Sequence, residues 1–292
     1  METRTDRMRQ TALGLFGVAL VVAAWEGYKA FGRAVHDKVF GWRLPGRTDD
    51  ASMPHVLTVL RAFTKAEVRG SGRTVLRAVV SGAWFTFRLA IAGFVVGVLV
   101  GLLLAMMMQR FKLVERAWLP YVVLSQTVPL VALAPLIVGW GGQIKVFGHQ
   151  WQQWMSVAAM SAYLSFFPVA VGALRGLQSP KPHAVELMSS YAASWRDTLF
   201  KLRLPAAVPY LIPALKLAAA GSIVGAIVAE ISSGTSGGVG RLILDYFQKA
   251  TGDPAQVFTA FIGAAVLGLG VAGLIALLEQ VLMRNRRGEQ IA

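Results

Sequence analysis

The chain has 292 residues, 55% hydrophobic and 15% charged, with a positive mean hydropathy, which a soluble domain rarely reaches. A net charge of +14 would suit a nucleic-acid binder, but the basic residues flank apolar runs instead of forming one patch with stacking aromatics. The absence of Cys excludes disulfides and thiolate metal sites.

In chain order, six apolar runs reach the ~20 residues that a spanning helix needs. They are roughly Thr11–Ala30, Trp84–Met108, Ala117–Trp140, Trp154–Leu174, Ala206–Ile231 and Val257–Met283. The expected fold class is an all-α membrane protein with six transmembrane helices. The N-terminus shows no convincing cleavage site, and its first apolar run is long enough to remain as a helix. Arg4, Arg7 and Arg9 precede that run, and Arg284, Arg286 and Arg287 follow the last. Arg110, Lys112 and Arg116 separate runs two and three, and Arg175, Lys181, Arg196, Lys201 and Arg203 separate runs four and five. Six spans put all four segments on one side, which the positive-inside rule makes cytoplasmic, with both termini inside. The organisation is then a short N-terminal segment (1–10), a single membrane domain (11–283) and a basic tail (284–292).

The first external connection, about residues 32–80, is itself basic. Within it Val56, Leu57, Leu60 and Phe63 recur at helical spacing, as do Arg61, Lys65 and Arg69. This predicts an amphipathic helix over about 54–68, lying on outer headgroups or meeting acidic patches of a partner. In the second run, Gly93, Gly97 and Gly101 repeat every fourth residue, which permits close helix packing. The third run holds Pro120, Pro129 and Pro135, each expected to kink or unwind it. A broken helix beside Gln126, Thr127 and Pro129 fits either a pathway lining or a packed, kinked helix. The connection Gly141–Gln153, with Lys145, His149, Gln150 and Gln152, receives no role.

A polar segment, about 175–204, separates runs four and five. Its Pro-rich start (Ser179, Pro180, Lys181, Pro182) precedes good helix formers from Ala184 to Ser190, with Glu186 in the first turn. Ala192, Ala193 and Ser194 supply a small-residue break. Ser194 is placed to cap a second helix over Trp195–Leu202, with Asp197 three residues on, and Pro205 opens the next span. Two short helices at an angle are expected, rigid enough to carry a domain motion into the spans.

This segment resembles the cytoplasmic coupling loop, or EAA loop, of ABC-importer permeases. The string from Ala193 through Lys201, Leu202, Arg203, Leu204 and Pro205 to Pro209 is similar to the branch handling nitrate, sulfonates and taurine, with its thiamine-precursor and riboflavin relatives. Thr86-Phe87-Arg88, the stretch Pro129 to Leu136, and Val228-Ala229-Glu230 match that branch in order, so the resemblance covers roughly residues 80–283. Two departures stand out: the alanines of the family motif are Leu187 and Met188 here, and its turn glycine is Ala192, which lacks easy access to positive φ.

The resemblance implies a type I ABC importer permease fold and a multi-pass protein of the bacterial inner (plasma) membrane. It also implies a second permease copy, identical or similar, a cytoplasmic ATPase pair and an extracytoplasmic solute-binding protein. Glu186, Leu187, Met188, Ala192, Ala193, Ser194 and Pro205 would form the ATPase-coupling surface. No phosphate loop of the Gly-x-x-x-x-Gly-Lys-Ser/Thr type occurs, so ATP and Mg belong to the partner ATPase, and this subunit needs no cofactor, metal or catalytic residue. Nucleic acid is not an expected partner; membrane lipids are. An ion-coupled secondary transporter is the alternative, although repeated halves and matched intramembrane acids are missing. A weak lean favours a pyrimidine, thiamine-precursor or riboflavin-like solute over sulfonate, taurine or nitrate.

Single residues add further expectations. Glu230 closes run five, either as a gate or solute contact or, the favoured reading, in an ion pair with Arg88. Lys216 sits inside run five and faces protein or the pathway. Ser161, Tyr163, Ser165 and Ser222 either bond a solute or join helices. Trp140, Trp151 and Trp154 are expected to form an aromatic belt.

Overall fold

A computed structural model describes residues 4–35, 38–39, 42–43, 47–68, 70, 72–146, 148–250 and 252–284. His36, Arg69, Arg286 and Arg287, and the tail after Arg284, lie outside the described residues. The described chain is helical apart from two pairs of two-residue antiparallel strands. The elements are α1 (Arg4–Ala34), β1 (Lys38–Val39), β2 (Trp42–Arg43), α2 (Val56–Ala62), α3 (Val75–Arg110), α4 (Lys112–Leu124) and α5 (Leu130–Gly141). There follow β3 (Lys145–Val146), β4 (His149–Gln150), α6 (Gln153–Leu177), α7 (Pro182–Ser190), α8 (Trp195–Thr198), α9 (Leu204–Ser233), α10 (Val239–Gln248) and α11 (Ala255–Arg284). Among the described residues five helices are long and apolar enough to cross a membrane, or six if α4 and α5 count as one bent span.

The contacts group the chain into two units. One comprises Met1–Val79 and Asp245–Phe261, the other Val80–Leu244 and Ile262–Ala292.

In the first unit the C-terminal turns of α1 grip the chain before α2. Lys29 is fully buried, and its Nζ lies 2.6 Å from Asp50 Oδ1, which also takes Arg33. Glu26 accepts the free N–H of Val56 at 2.9 Å and meets His55 Nδ1 at 2.8 Å, so one carboxylate caps the start of α2. The expected amphipathic helix exists, but shorter and turned differently. Val59 and Ala62 pack against Ala255 and Phe258, while Leu57 and Leu60 are the exposed apolar residues. Packing on α11 selects Val59, which the spacing argument passed over. Lys65 pairs with Asp253 at 2.8 Å beside this contact.

The second unit is organised around α6, with small residues lining its contacts on two sides. A Cβ on Gly93 would lie 2.3 Å from the Ala158 carbonyl oxygen, and one on Gly97 or Gly101 would lie 2.7 Å from that of Ala162 or Phe166. The glycine row of α3 therefore lets backbone meet backbone. Gly172 and Gly176 of α6 receive Ala214 and Ala207 of α9 in the same way, and Gly225 of α9 lies on Met160. In lipid no hydrophobic force drives helices together, so dispersion at such close approach carries the association. Val157, Met160, Ile223, Ala226 and Ala229 form one core cluster; Met108, Leu174, Leu177, Leu199 and Ala207 form another.

Only one of the three prolines breaks the third run. Pro129 holds Val128 extended (φ −70, ψ 125), and α4 and α5 diverge there by 104°. Pro120 and Pro135 stay inside α4 and α5. The carbonyls freed at the break find donors: Thr127 Oγ1 donates to Leu124 O at 2.8 Å, Ser125 Oγ to Val122 O at 2.7 Å, and the Tyr163 hydroxyl to Ser125 O.

The connection left without a role folds as the β3–β4 hairpin, with Gly148 at φ +82. The Trp151 ring covers Gly141, where an added Cβ would lie 2.4 Å from it, and donates to Ser156 Oγ at 2.7 Å. Trp151 is thus a packing residue, whereas Trp140 and Trp154 are exposed.

Candidate functional site

The segment between α6 and α9 is built by local capping. Pro182 starts α7, where a missing N–H costs nothing. At its far end Ala192 takes φ +52, the Ala192 N–H donates to Ser189 O at 2.9 Å, and the Ala193 N–H donates to Met188 O at 3.0 Å. This is the Schellman arrangement, normally closed by glycine. The turn forms without the glycine, at the cost of a left-handed alanine. Ser194 then caps α8: its Oγ accepts the Asp197 N–H at 3.1 Å and donates to Asp197 Oδ2 at 2.5 Å.

Beyond α8 the structure corrects the sequence reading. The second helix does not stop before Pro205. It passes through a π-helical turn, Leu199–Arg203, into α9, so that Trp195–Ser233 is one 39-residue path. The wide turn accommodates a proline that supplies no N–H to the preceding carbonyls.

This path is fastened at several points. Leu199 is buried with Met108, Leu177 and Ala207. Arg203 donates to Leu177 O at 2.7 Å, and Trp195 Nε1 donates to Gln109 Oε1 at 3.3 Å. The Arg110 guanidinium lies 5.2 Å over the Trp195 ring, and Gln178 Nε2 donates to Glu115 Oε1 at 3.0 Å. A displacement of α8 thus bears directly on α3, α6 and α9. Sequence reasoning missed Gln109, Arg110 and Arg203 as anchors; the aromatic Trp195 so near a span was their one signal. Glu186, Leu187, Ala192 and Ser194 are exposed, Met188 and Ala193 half-buried, and Tyr191 and Phe200 add exposed rings.

The other candidates separate into groups. Gln126, Thr127 and Pro129 sit exposed at the α4–α5 break. Ser161 and Ser165 are not exposed: they lie under Gly93 and Gly97, with Oγ donating to Val157 O at 3.0 Å and to Ser161 O at 2.7 Å. Ser165 also reaches Ala218 O at 3.1 Å and so joins α6 to α9, whereas the Ser161 hydroxyl bonds within α6. Ser222 donates to Ala219 O at 2.8 Å and borders an apolar cavity of about 260 Å³ between α3, α9 and α11.

Glu230 and Arg88 are not paired. Thr86, two residues from Arg88 and so on the opposite face of α3, is the side chain directed at α9. Its Oγ1 donates to the fully buried Glu230 carboxylate at 2.8 Å and accepts the Val239 N–H at 2.9 Å. The Gly240 N–H donates to Glu230 Oε2 at 2.9 Å. Thr86 and Glu230 together cap the N-terminus of α10, whose dipole favours the negative charge. A Cβ on Gly238 would lie 2.1 Å from Glu230 Cδ, so the chain must be bare there. The glycines at 234, 237, 238 and 240 were the overlooked signal. Arg88 is exposed, lies 5.9 Å from the Phe85 ring centroid and borders an open groove with Gln150, Trp154 and Ser236. Lys216 faces protein through an ion pair with Glu279 of α11.

A family described as the binding-protein-dependent transport system inner membrane component matches residues 97–284. The formylaminopyrimidine transport permease protein of Halalkalibacterium halodurans is 31% identical over 67% of this chain and 73% of its own length. A Bacillus subtilis permease named for aliphatic sulfonates transport is 29% identical over 68% of this chain and 67% of itself. The crystal structure of an amino acid ABC transporter with histidines has the same fold, with a TM-score of 0.55 and 24% identity over 70% of this chain and 94% of that one.

Proposed function

Since the chain belongs to the family of binding-protein-dependent transport system inner membrane components, we propose that it is the permease subunit of an ATP-driven importer for a small solute. On this reading it spans the bacterial inner membrane six times in a type I permease fold with both termini cytoplasmic. Two copies, or this chain and a similar one, form the pathway. A cytoplasmic ATPase pair holds ATP and Mg, and a solute-binding protein delivers from outside. ATP closes the ATPase pair, the coupling helices approach each other, and the pathway opens outward to accept solute. The subunit itself catalyses nothing. The similarity to a formylaminopyrimidine permease supports a pyrimidine, thiamine-precursor or riboflavin-like solute over sulfonate, taurine or nitrate.

The observation that carries this reading is the geometry of residues 182–203. An exposed short helix with Glu186 and Leu187 is joined by a capped turn to a path that runs unbroken into a span. A separate ATPase pushing there moves the span, because π turn and helix transmit compression where a loop would absorb it. Purification of the tagged chain from its own membranes tests the reading. An ATPase at about equal stoichiometry is expected with the native chain and lost with Glu186→Lys. A chain that purifies alone, with transport following the proton gradient and not ATP, overturns it.

A further inference from the structure

The β3–β4 hairpin and Arg88 take no part in the coupling geometry, yet one groove brings them together. Gly93, Gly97 and Gly101 of α3 meet the backbone of α6 at Ala158, Ala162 and Phe166, which is a parallel register. Arg88 and Gln153 each stand five residues before the first of these contacts and so emerge at one level. A third wall is the turn between α9 and α10, where a Cβ on Gly237 would lie 3.4 Å from the Phe85 ring. The groove has a volume of about 860 Å³, and its lining includes Arg88, Gln150, Gln152, Gln153, Trp154 and Ser236.

These walls are held from behind. Thr86 and Glu230 fix the start of α10, and Trp151 is seated on Gly141 and bonded to Ser156. In front, Arg88, Gln152, Gln153, Trp154 and Ser236 are exposed. Segments 81–92, 141–156 and 231–240, which supply the walls, contain no acidic residue. Among the described residues the guanidinium makes no ion pair, and its contact is with the Phe85 ring, 5.9 Å to the centroid. Gln150 Nε2 donates to Gly142 O at 3.5 Å, while among the same residues the Gln152 and Gln153 amides are uncommitted.

We infer that this groove is a binding site for a small planar heterocycle that carries an oxyanion group. The Arg88 fork pairs a carboxylate, phosphate or sulfonate through two parallel N–H bonds. The Trp154 indole offers a face for the ring, and the glutamine amides donate to ring carbonyls and accept from ring N–H groups. The volume falls in the range of roughly 300–1,000 Å³ that small-molecule sites occupy. The inference deepens the importer reading and rests on it for one thing, that the groove opens outward and meets the solute first. Binding itself does not depend on that reading.

Equilibrium dialysis of the detergent-purified chain tests the site with three probes: orotate, a pyrimidine carboxylate; uracil, its ring without the carboxylate; and inorganic phosphate, an oxyanion without the ring. Orotate should bind at least ~10-fold more tightly than either of the others, the worth of one charge-assisted pair. Arg88→Gln should bring orotate down to the level of uracil and leave uracil unchanged, whereas Trp154→Leu should weaken both. Arg88 is exposed, so an unchanged thermal unfolding of Arg88→Gln is expected and separates lost binding from lost fold. No measurable orotate binding, or equal binding by the native chain and Arg88→Gln, overturns the inference. Phosphate binding as tight as that of orotate removes the ring and overturns it too. Added dioleoylphosphatidylglycerol should not displace orotate; displacement assigns the groove to a lipid headgroup instead. No ATPase or transport enters these measurements, so failure here is distinct from failure of the importer reading, which co-purification decides.

Discussion

Thr86 Oγ1 and Glu230 Oε1 lie 2.8 Å apart, 144 residues apart in sequence and both fully buried, and together they hold the first N–H groups of α10. The hydroxyl donates to the carboxylate and accepts from Val239, so its one proton and one of its two lone pairs are committed.

Removing the carboxylate should therefore cost more than its size. Glu230→Ala leaves buried donors at Gly240 and Thr86 without an acceptor, a loss of about 1–3 kcal/mol. Glu230→Gln keeps an acceptor and should lose less, and Thr86→Ser should be near neutral while Thr86→Val is not. Thermal unfolding of the detergent-purified chain ranks the four. Equal stability of Glu230→Ala and the native chain would exclude the cap.

The α3–α6 contact tolerates no side chain. Gly93→Leu places its Cβ 2.3 Å from the Ala158 oxygen, which is backbone and has no room to give. We expect little or no folded chain in the membrane, read by immunoblot after urea washing. Gly139→Leu, at a glycine with open space around its Cβ position, should accumulate normally.

Ala192 is expected to gain from glycine, the residue that a left-handed helix end favours. At φ +52 an alanine pays a steric cost of roughly 1–2 kcal/mol, partly offset by the greater entropy glycine loses on folding. Ala192→Gly should stabilise the α7–α8 turn by about 0.5–1 kcal/mol, and Ala192→Val should destabilise it by more than that. Slower hydrogen exchange at the Ala193 amide, which closes the turn, measures the gain.

The join between α1 and α2 should loosen in acid. The Lys29 hydrogen bond, then its charge and Arg33, hold the Asp50 carboxyl below its ordinary value of 3.8. A depressed carboxyl stabilises the fold above its unfolded value and loses that stability as pH falls through the lower, folded one. The loss therefore falls below about pH 4. Trp25 Nε1 donates to Pro54 O at 3.1 Å and reports the event. Its fluorescence should shift below that pH in the native chain, whereas in Lys29→Met it should already be shifted at neutral pH.

What could be read without coordinates was governed by period and by local chemistry. Apolar length located the spans, although the third emerges as a bent pair. The four-residue glycine spacing identified the α3 contact, since a row on one face of a helix needs no knowledge of its partner. Ser194 and Asp197 announced a cap because donor and acceptor sit three residues apart. The same reasoning went astray wherever a partner came from elsewhere in the chain. It assigned Glu230 to the nearest cation on α3 when Thr86 and the backbone of α10 were the acceptor's true donors. It left Ser161 and Ser165 open between a solute and a neighbouring helix, and the glycines of α3 lie over both.

By itself, then, the sequence determined that this is a membrane-embedded helical chain with an ordered polar segment between its fourth and fifth apolar runs, because hydropathy, helix period and capping are properties of neighbouring residues. Only the tertiary structure decided which of three prolines breaks a helix, that the path through Pro205 is continuous, and that Lys216 answers Glu279. Those outcomes depend on which carbonyl or charge a distant segment brings within hydrogen-bonding reach, and that is set by packing.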